Sequence, residues 1–223
     1  MKKKLYRNAC RLSCLLTIVT LFVACDAHRD FPDTAMKHCH ILCTDGKVLP
    51  VADFKQSGKQ PIAVVFHVNH NEDVDGNGYA VYLWNLEPLA FADSIGVRQN
   101  TSADILALDG FENTFVLLDA RDVSSPLAGK AFALWRYGQS AYIPSVAQMR
   151  LLYHTRDQIN PIIKICGGDT LPVEAGDCWY WTSTEVNGQQ SLKAWLFSTS
   201  SGAIHDTPKG QAHKSRAIIT LRD

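Results

Sequence analysis

An α+β domain of short helices packed on twisted antiparallel sheets is the fold class predicted by this 223-residue chain. Three observations carry that expectation. The C-terminal part alternates apolar and polar side chains with a period of two around aromatic residues. Two β-branched runs, 61–68 (PIAVVFHV) and 79–84 (YAVYLW), stand in the first half, separated by a polar, Gly-containing segment. Between these β regions lie segments with helix-start signals.

The chain begins with a different kind of segment. Residues 1–11 hold Lys2, Lys3, Lys4, Arg7 and Arg11 with no acid, and 12–24 (LSCLLTIVTLFVA) form an apolar run that is short for a bilayer span. A basic stretch, a short apolar run and a small residue before a cysteine make a secretory signal. Phe22-Val23-Ala24-Cys25 resembles a bacterial lipobox, with Phe22 where Leu is usual. Residues 1–24 are therefore expected to leave as a lipoprotein signal peptide and Cys25 to carry lipid; an ordinary signal peptide with an incidental cysteine is the alternative. The full chain balances 22 Lys+Arg against 22 Asp+Glu, but five of those cations belong to the leader, so residues 25–223 are mildly acidic. Phosphate binding needs clustered Lys and Arg, which argues against a nucleic-acid partner. Export also permits disulfides.

Residues 25–37 are polar, contain a proline and lack periodicity, as expected of a flexible tether ahead of a single domain at 38–223. In that domain, 38–42 and 47–54 are expected as strands around the turn Thr44-Asp45-Gly46. The runs 61–68 and 79–84 form a hairpin with a ten-residue polar loop. Residues 85–120 are less regular, with a helix across 110–118. Ser125-Pro126 reads as an N-cap with Pro at N1, opening a helix through 127–134. Ser145 and Gln148 have capping-box spacing, and Val146, Met149, Leu152 and Tyr153 share one face of the helix they open. Asp157 or Asn160 is placed to cap a further short helix with Pro161 in its first turn and Gly167-Gly168 at its end. Strands at 179–184, 194–198 and 217–221 complete the chain, divided by Asn187-Gly188 and Ser201-Gly202 turns.

Ala141-Tyr142-Ile143-Pro144-Ser145, Met149, Leu151, Leu152, Gly167-Gly168, Tyr180-Trp181-Thr182-Ser183-Thr184-Glu185, Ala194-Trp195, Gly202, Lys209 and Arg216-Ala217-Ile218 occur in that order. This series resembles the DUF1566 (Lcl C-terminal-like) domains of the C-type-lectin-like fold, near its formylglycine-generating-enzyme branch and common in surface lipoproteins of Bacteroidetes. The resemblance covers residues 135–221, with weaker likeness over 44–134. Tyr142-Ile143 replaces the usual Trp-x-Leu, and Ser215 stands where Val or Ile is common before the Arg. The resemblance implies a C-type-lectin-like fold and a surface-exposed lipoprotein at the outer membrane. It also implies a non-catalytic module for adhesion to a glycan or protein, accessory to fimbriae. Asp26, Asp30 and Asp33 after Cys25 loosely resemble the acidic export signal of such lipoproteins. Alternatives are a formylglycine-generating-type enzyme and a structural subunit of a surface assembly.

Single residues carry further expectations. Glu185 and Arg216 are expected to pair between neighbouring strands, and Trp181 and Trp195 to fill the core. Asp73, Asp75 and Asn77 alternate like the first half of a calcium loop, but the twelfth position is Trp84 rather than Glu, which excludes an EF-hand and leaves a solvated turn or a looser site. His38-Cys39-His40 with Cys43 lacks the paired spacing of a zinc centre. Cys166 and Cys178 flank an eleven-residue loop, and both a disulfide and two buried thiols are open readings. The related formylglycine-generating enzymes use a copper-binding cysteine pair, whose motif these two do not match. Ser183 and His205 make only a weak nucleophile pair. No HExxH, GxSxG, P-loop or GxGxxG occurs, so no enzyme activity and no cofactor are expected. Exposed Trp or Tyr in the loops of 85–104 or 186–215 would be natural sugar platforms.

Overall fold

The apolar run at 61–68 explains the centre of the molecule. A computed structural model describes residues 35–70, 76–134 and 141–222. The expected signal peptide, Cys25, the tether as far as residue 34, Asp73, Asp75 and Trp135 lie outside these residues. Strands β1 (Ile41–Cys43), β2 (Val48–Leu49), β3 (Pro61–Val68), β4 (Gly78–Tyr82) and β10 (Ile218–Leu221) form a five-stranded antiparallel sheet in the order β10-β4-β3-β1-β2. Ala63 and Val65 of β3 pack into one apolar cluster, and Val64 and Phe66 into another. Burial on both faces is why this strand reads as a continuous apolar run rather than a clean alternation.

Helix α1 (Val51–Ser57) occupies part of the segment expected as a second strand at 47–54. The strand stops at Leu49 because Pro50 has no N–H for the ladder and serves instead as the helix N-cap, while Gly58, at φ 65°, closes the helix in the left-handed region. The first strand is shorter than expected for a related reason. Cys39 has φ 67°, which breaks extension before Ile41.

Helices α2 (Gly110–Asp119) and α3 (Pro126–Phe132) fall where their signals predict, Ser125 Oγ accepting from the Ala128 N–H at 3.2 Å. Helix α4 (Val146–Ile165) opens with the predicted capping box: Gln148 N–H donates to Ser145 Oγ at 3.3 Å, and Ser145 N–H donates to Gln148 Oε1 at 3.0 Å. Ser145 Oγ also donates to Ala107 O at 2.7 Å, which ties the box to the preceding loop. Gly110 leaves the box no spare room, since a Cβ there would lie 2.2 Å from Gln148 Oε1 and 2.7 Å from Ile143 O. Ser145→Ala is expected to lower stability by about 1–2 kcal/mol in urea denaturation, from a lost cap and an unpaired carbonyl.

One correction concerns Pro161, expected to open a separate helix. It lies inside α4, which runs unbroken for twenty residues. Pro161 is on the exposed side, while Ile159 and Ile163 continue the buried stripe of Val146, Met149 and Leu152. That packing outweighs the roughly 3 kcal/mol cost of an interior proline.

The remaining strands divide into two small antiparallel sheets. β6 (Trp179–Glu185), β7 (Lys193–Ser198) and β8 (Ile204–Pro208) form one, and β5 (Leu86–Ala90) with β9 (Ala212–Ser215) the other. The strand expected at 217–221 forms, but pairs with β4 in the central sheet rather than beside β6 and β7.

Candidate functional site

Strand β6 carries Thr182, Ser183, Thr184 and Glu185, all buried. The expected Glu185–Arg216 pair does not form. Glu185 Oε1 instead accepts from Lys209 Nζ and from the backbone N–H of Gln99, the latter at 3.2 Å. Strand register supplies the reason: Glu185 lies opposite Ala194, and Ala194 opposite Thr207, so the end of β8 brings Lys209 toward Glu185. Arg216 precedes a strand that belongs to another sheet. Lys209 Nζ donates a further bond to Gln99 Oε1 at 3.4 Å and lies 5.3 Å from the centroid of Phe91. Glu185, Lys209 and Gln99 are all buried, and Glu185 Oε2 has no hydrogen-bond partner among the described residues. Burial pushes the Lys209 ammonium below its usual pKa, against the opposing pull of Glu185.

Arg216 is fully buried and acts as a staple. Its Nη1 donates to Tyr82 O (2.9 Å) and Leu83 O (2.7 Å), Nη2 to Asp169 O (2.6 Å) and Nε to Asn85 Oδ1 (2.9 Å). The planar guanidinium thereby joins the exit of β4 to the loop after α4. Trp181 and Trp195 pack in the core clusters as expected. Trp181 is wholly buried, donates from Nε1 to Leu89 O at 3.1 Å and meets Phe91 edge to face; Trp195 is half-buried.

Two clefts open beside this framework. One, of about 370 Å³, lies between the loop Val97-Arg98-Gln99-Asn100 and the C-terminal end of α2, where Phe115, Asp119, Arg121 and Asp122 line it. The side chains of Arg98, Asp119, Arg121 and Asp122 have no hydrogen-bond or ion-pair partner among the described residues. Phe115 is 56% exposed. An apolar ring beside unpaired cations and anions suits a ligand that presents both donors and acceptors. Buried Gln99 joins this cleft to the Glu185–Lys209 pair. The other cleft, of about 640 Å³, runs along the exposed side of α4 against Leu171, Pro172 and Val173. The aromatic rings expected on loops 85–104 and 186–215 are not the exposed ones; Phe115 and Trp84, the latter 47% exposed, take that position.

Of the two readings open for Cys166 and Cys178, the structure holds the thiols. Cys39, Cys43, Cys166 and Cys178 are all free, so the Cys166–Cys178 disulfide is not formed. Cys178 is 2% exposed and lies between serines, 3.4 Å from Ser198 Oγ and 3.3 Å from Ser200 Oγ. Burial pushes its thiol up, and these hydroxyls with the Gly176 and Ser200 backbone groups bring it below the usual value. Cys166 caps the C-terminus of α4, where burial pushes its thiol up to about 11. Neither cysteine lines either cleft.

Ser183 and His205 are not brought together: Ser183 Oγ meets Asn113 Nδ2 at 3.5 Å, and His205 Nδ1 faces Thr207 Oγ1 at 3.0 Å. Of the calcium-like series, Asn77 is described, its backbone held by Leu221 O (2.7 Å) and Asn69 N–H (2.9 Å) at the hairpin end. Among the described residues no group of three or more His, Cys, Asp or Glu is placed to hold a metal ion. Sequence reasoning does not single out Gln99 or the residues of the first cleft, because no local pattern marks them.

The architecture is that of an α+β module with antiparallel sheets, and it recurs in a protein of known structure. A crystal structure of a fimbrial protein from Bacteroides ovatus, at 1.85 Å resolution, superposes with a TM-score of 0.63 at 15% identity, covering 83% of this chain and 49% of that one. The chain thus spans about half the length of that protein, and the likeness is one of fold. No family model and no curated protein matches the chain.

Proposed function

We propose that this chain is a lipid-anchored module of the bacterial outer surface that binds an extracellular glycan or protein without catalysis, in association with fimbriae. The observation that carries the reading is the fold shared with a fimbrial protein over 83% of the chain. The lipobox-like segment ending at Cys25 supports the anchor, and the DUF1566-like series over 135–221 supports a C-type-lectin-like assignment. The cleft between Gln99 and Phe115 is the ligand site in this reading, because it gathers unpaired charges of both signs beside an exposed ring.

Protease shaving of whole cells, with fractionation afterwards, tests the placement. The wild-type chain is expected in the membrane fraction and to be lost on shaving, whereas Cys25→Ala is expected in the soluble fraction. Survival of the wild-type chain on shaved intact cells would refute surface exposure. Glycan and host-matrix arrays test the ligand role. Arg98→Ala and Arg121→Ala are each expected to weaken any captured ligand about tenfold, as for loss of a charged hydrogen bond of roughly 1.5 kcal/mol. Silence of the wild-type protein on both arrays would remove the adhesion reading.

A further inference from the structure

Three buried side chains from distant parts of the chain, Gln99, Glu185 and Lys209, converge at one point behind the cleft that Gln99 helps to line. Lys209 Nζ contacts Glu185 Oε1 and lies 3.4 Å from Gln99 Oε1, although Gln99 and Lys209 are 110 positions apart. An amine in contact with both a carboxamide and a carboxyl group, the carboxyl also accepting from the backbone N–H of the carboxamide's own residue, all in buried side chains, supplies the components of an acyl transfer. We propose that Lys209 and Gln99 are joined by an intramolecular isopeptide bond, formed with Glu185 as the proton carrier.

The step balances without oxidant, reductant or cofactor. Glu185 takes one proton from the Lys209 ammonium and so frees the amine. Nζ then bonds to Cδ of Gln99, the carbon one bond beyond the Oε1 it already contacts. As the new C–N bond forms, Nζ gives up a second proton, which passes by way of the carboxyl group to Gln99 Nε2. The Cδ–Nε2 bond breaks, and the nitrogen leaves with the first proton as ammonium. A primary carboxamide has become a secondary one, at the same oxidation level.

Several features of the site favour the reaction. Burial lowers the cost of the neutral amine relative to the ammonium, and the Phe91 ring 5.3 Å from Nζ helps keep water away. Glu185 Oε2 is buried without a partner among the described residues, which leaves the carboxyl an oxygen to carry a proton. Gln99 Nε2, the leaving nitrogen, is held by Val123 O at 3.4 Å. Gln99 also lines the 370 Å³ cleft, which offers ammonia a way out to solvent. Once formed, the bond fixes the residue after β8 to the loop that walls the cleft, and it does so whether or not the cleft holds a ligand.

Tandem mass spectrometry of a tryptic digest of the full chain, taken from denatured cells, tests the proposal. The expected result is a branched peptide joining Gln99 to Lys209, lighter than the two linear peptides together by one ammonia, with no cleavage after Lys209. Glu185→Gln is expected to return both peptides to linear form. Linear peptides with intact Gln99 in the wild-type chain would reduce the cluster to an ion pair and overturn the proposal. A branched peptide lighter by one water and carrying Glu185 would also overturn it, and a cross-link persisting in Glu185→Gln would overturn the role given to that carboxyl.

Discussion

Replacing Arg216 with Met is expected to lower the stability of the domain by about 3–5 kcal/mol, as for removal of a buried charged group that holds its neighbours by hydrogen bonds. The side chain is fully buried, and its guanidinium supplies four hydrogen bonds, three of them to backbone carbonyls of Tyr82, Leu83 and Asp169. Leu83 O also accepts from the Asp169 N–H, so it keeps a partner after the substitution. Tyr82 O, in a buried residue, and Asp169 O, in an exposed one, lose the Arg216 donor, and an acceptor left unsatisfied inside the protein costs about 1–3 kcal/mol. Against a total stability of about 5–15 kcal/mol this is a large fraction. The measurement is a urea titration, in which the midpoint should fall with little change in slope. Arg216→Lys is expected to recover only part of the loss, since one ammonium cannot span acceptors on two segments as a planar fork does. A loss under about 1 kcal/mol for Arg216→Met would show that the carbonyls find other donors.

Trp181→Ala is expected to cost about 3–5 kcal/mol, by the transfer and cavity terms of a large core truncation. The indole is wholly buried, meets Phe91 at 5.6 Å and His213 at 5.4 Å edge to face, and donates to Leu89 O. Its own carbonyl accepts from Ser215 Oγ at 3.0 Å, so residue 181 joins β6 to both strands of the β5–β9 sheet. Trp181→Phe separates the terms. It keeps much of the volume but leaves Leu89 O without the indole donor, for an expected loss of about 1–2 kcal/mol beyond the smaller packing loss. Thermal unfolding of the two variants checks the order, and equal losses would mean that the hydrogen bond, lost in both, carries almost the whole effect and the ring volume almost none.

Legibility from sequence tracks the range of the interactions. The caps at Ser125 and Ser145, the strand Pro61–Val68 and the start of β6 are readable, because each depends on residues within a few positions of one another. Strands β5, β8 and β9 are not. Leu86-Glu87-Pro88-Leu89-Ala90 holds a proline, and Ile204–Pro208 and Ala212–Ser215 are largely polar, so none shows the period-two apolar signal. They are strands because neighbours supply the ladder: β8 lies against β7 with Lys193 and Asp206 ion-paired at 2.5 Å, and β5 against β9. Missing β8 leads directly to the wrong partner for Glu185. The residue type is informative, but the partner depends on which strand lies two ladders away.

By itself the sequence determined an α+β chain of antiparallel strands, the hairpin of β3 and β4, the start of α4 and the apolar residues that fill the two core clusters. Tertiary structure alone decided that the last strand joins the central sheet, that α4 continues through Pro161, that four cysteines stay free and that Lys209 rather than Arg216 meets Glu185. The division has a physical basis. Caps, turns and periodicity are short-range and leave their mark in adjacent residues, whereas a buried charge is satisfied by whichever group the packed sheets bring within reach, here from 24 positions away for Lys209 and Glu185.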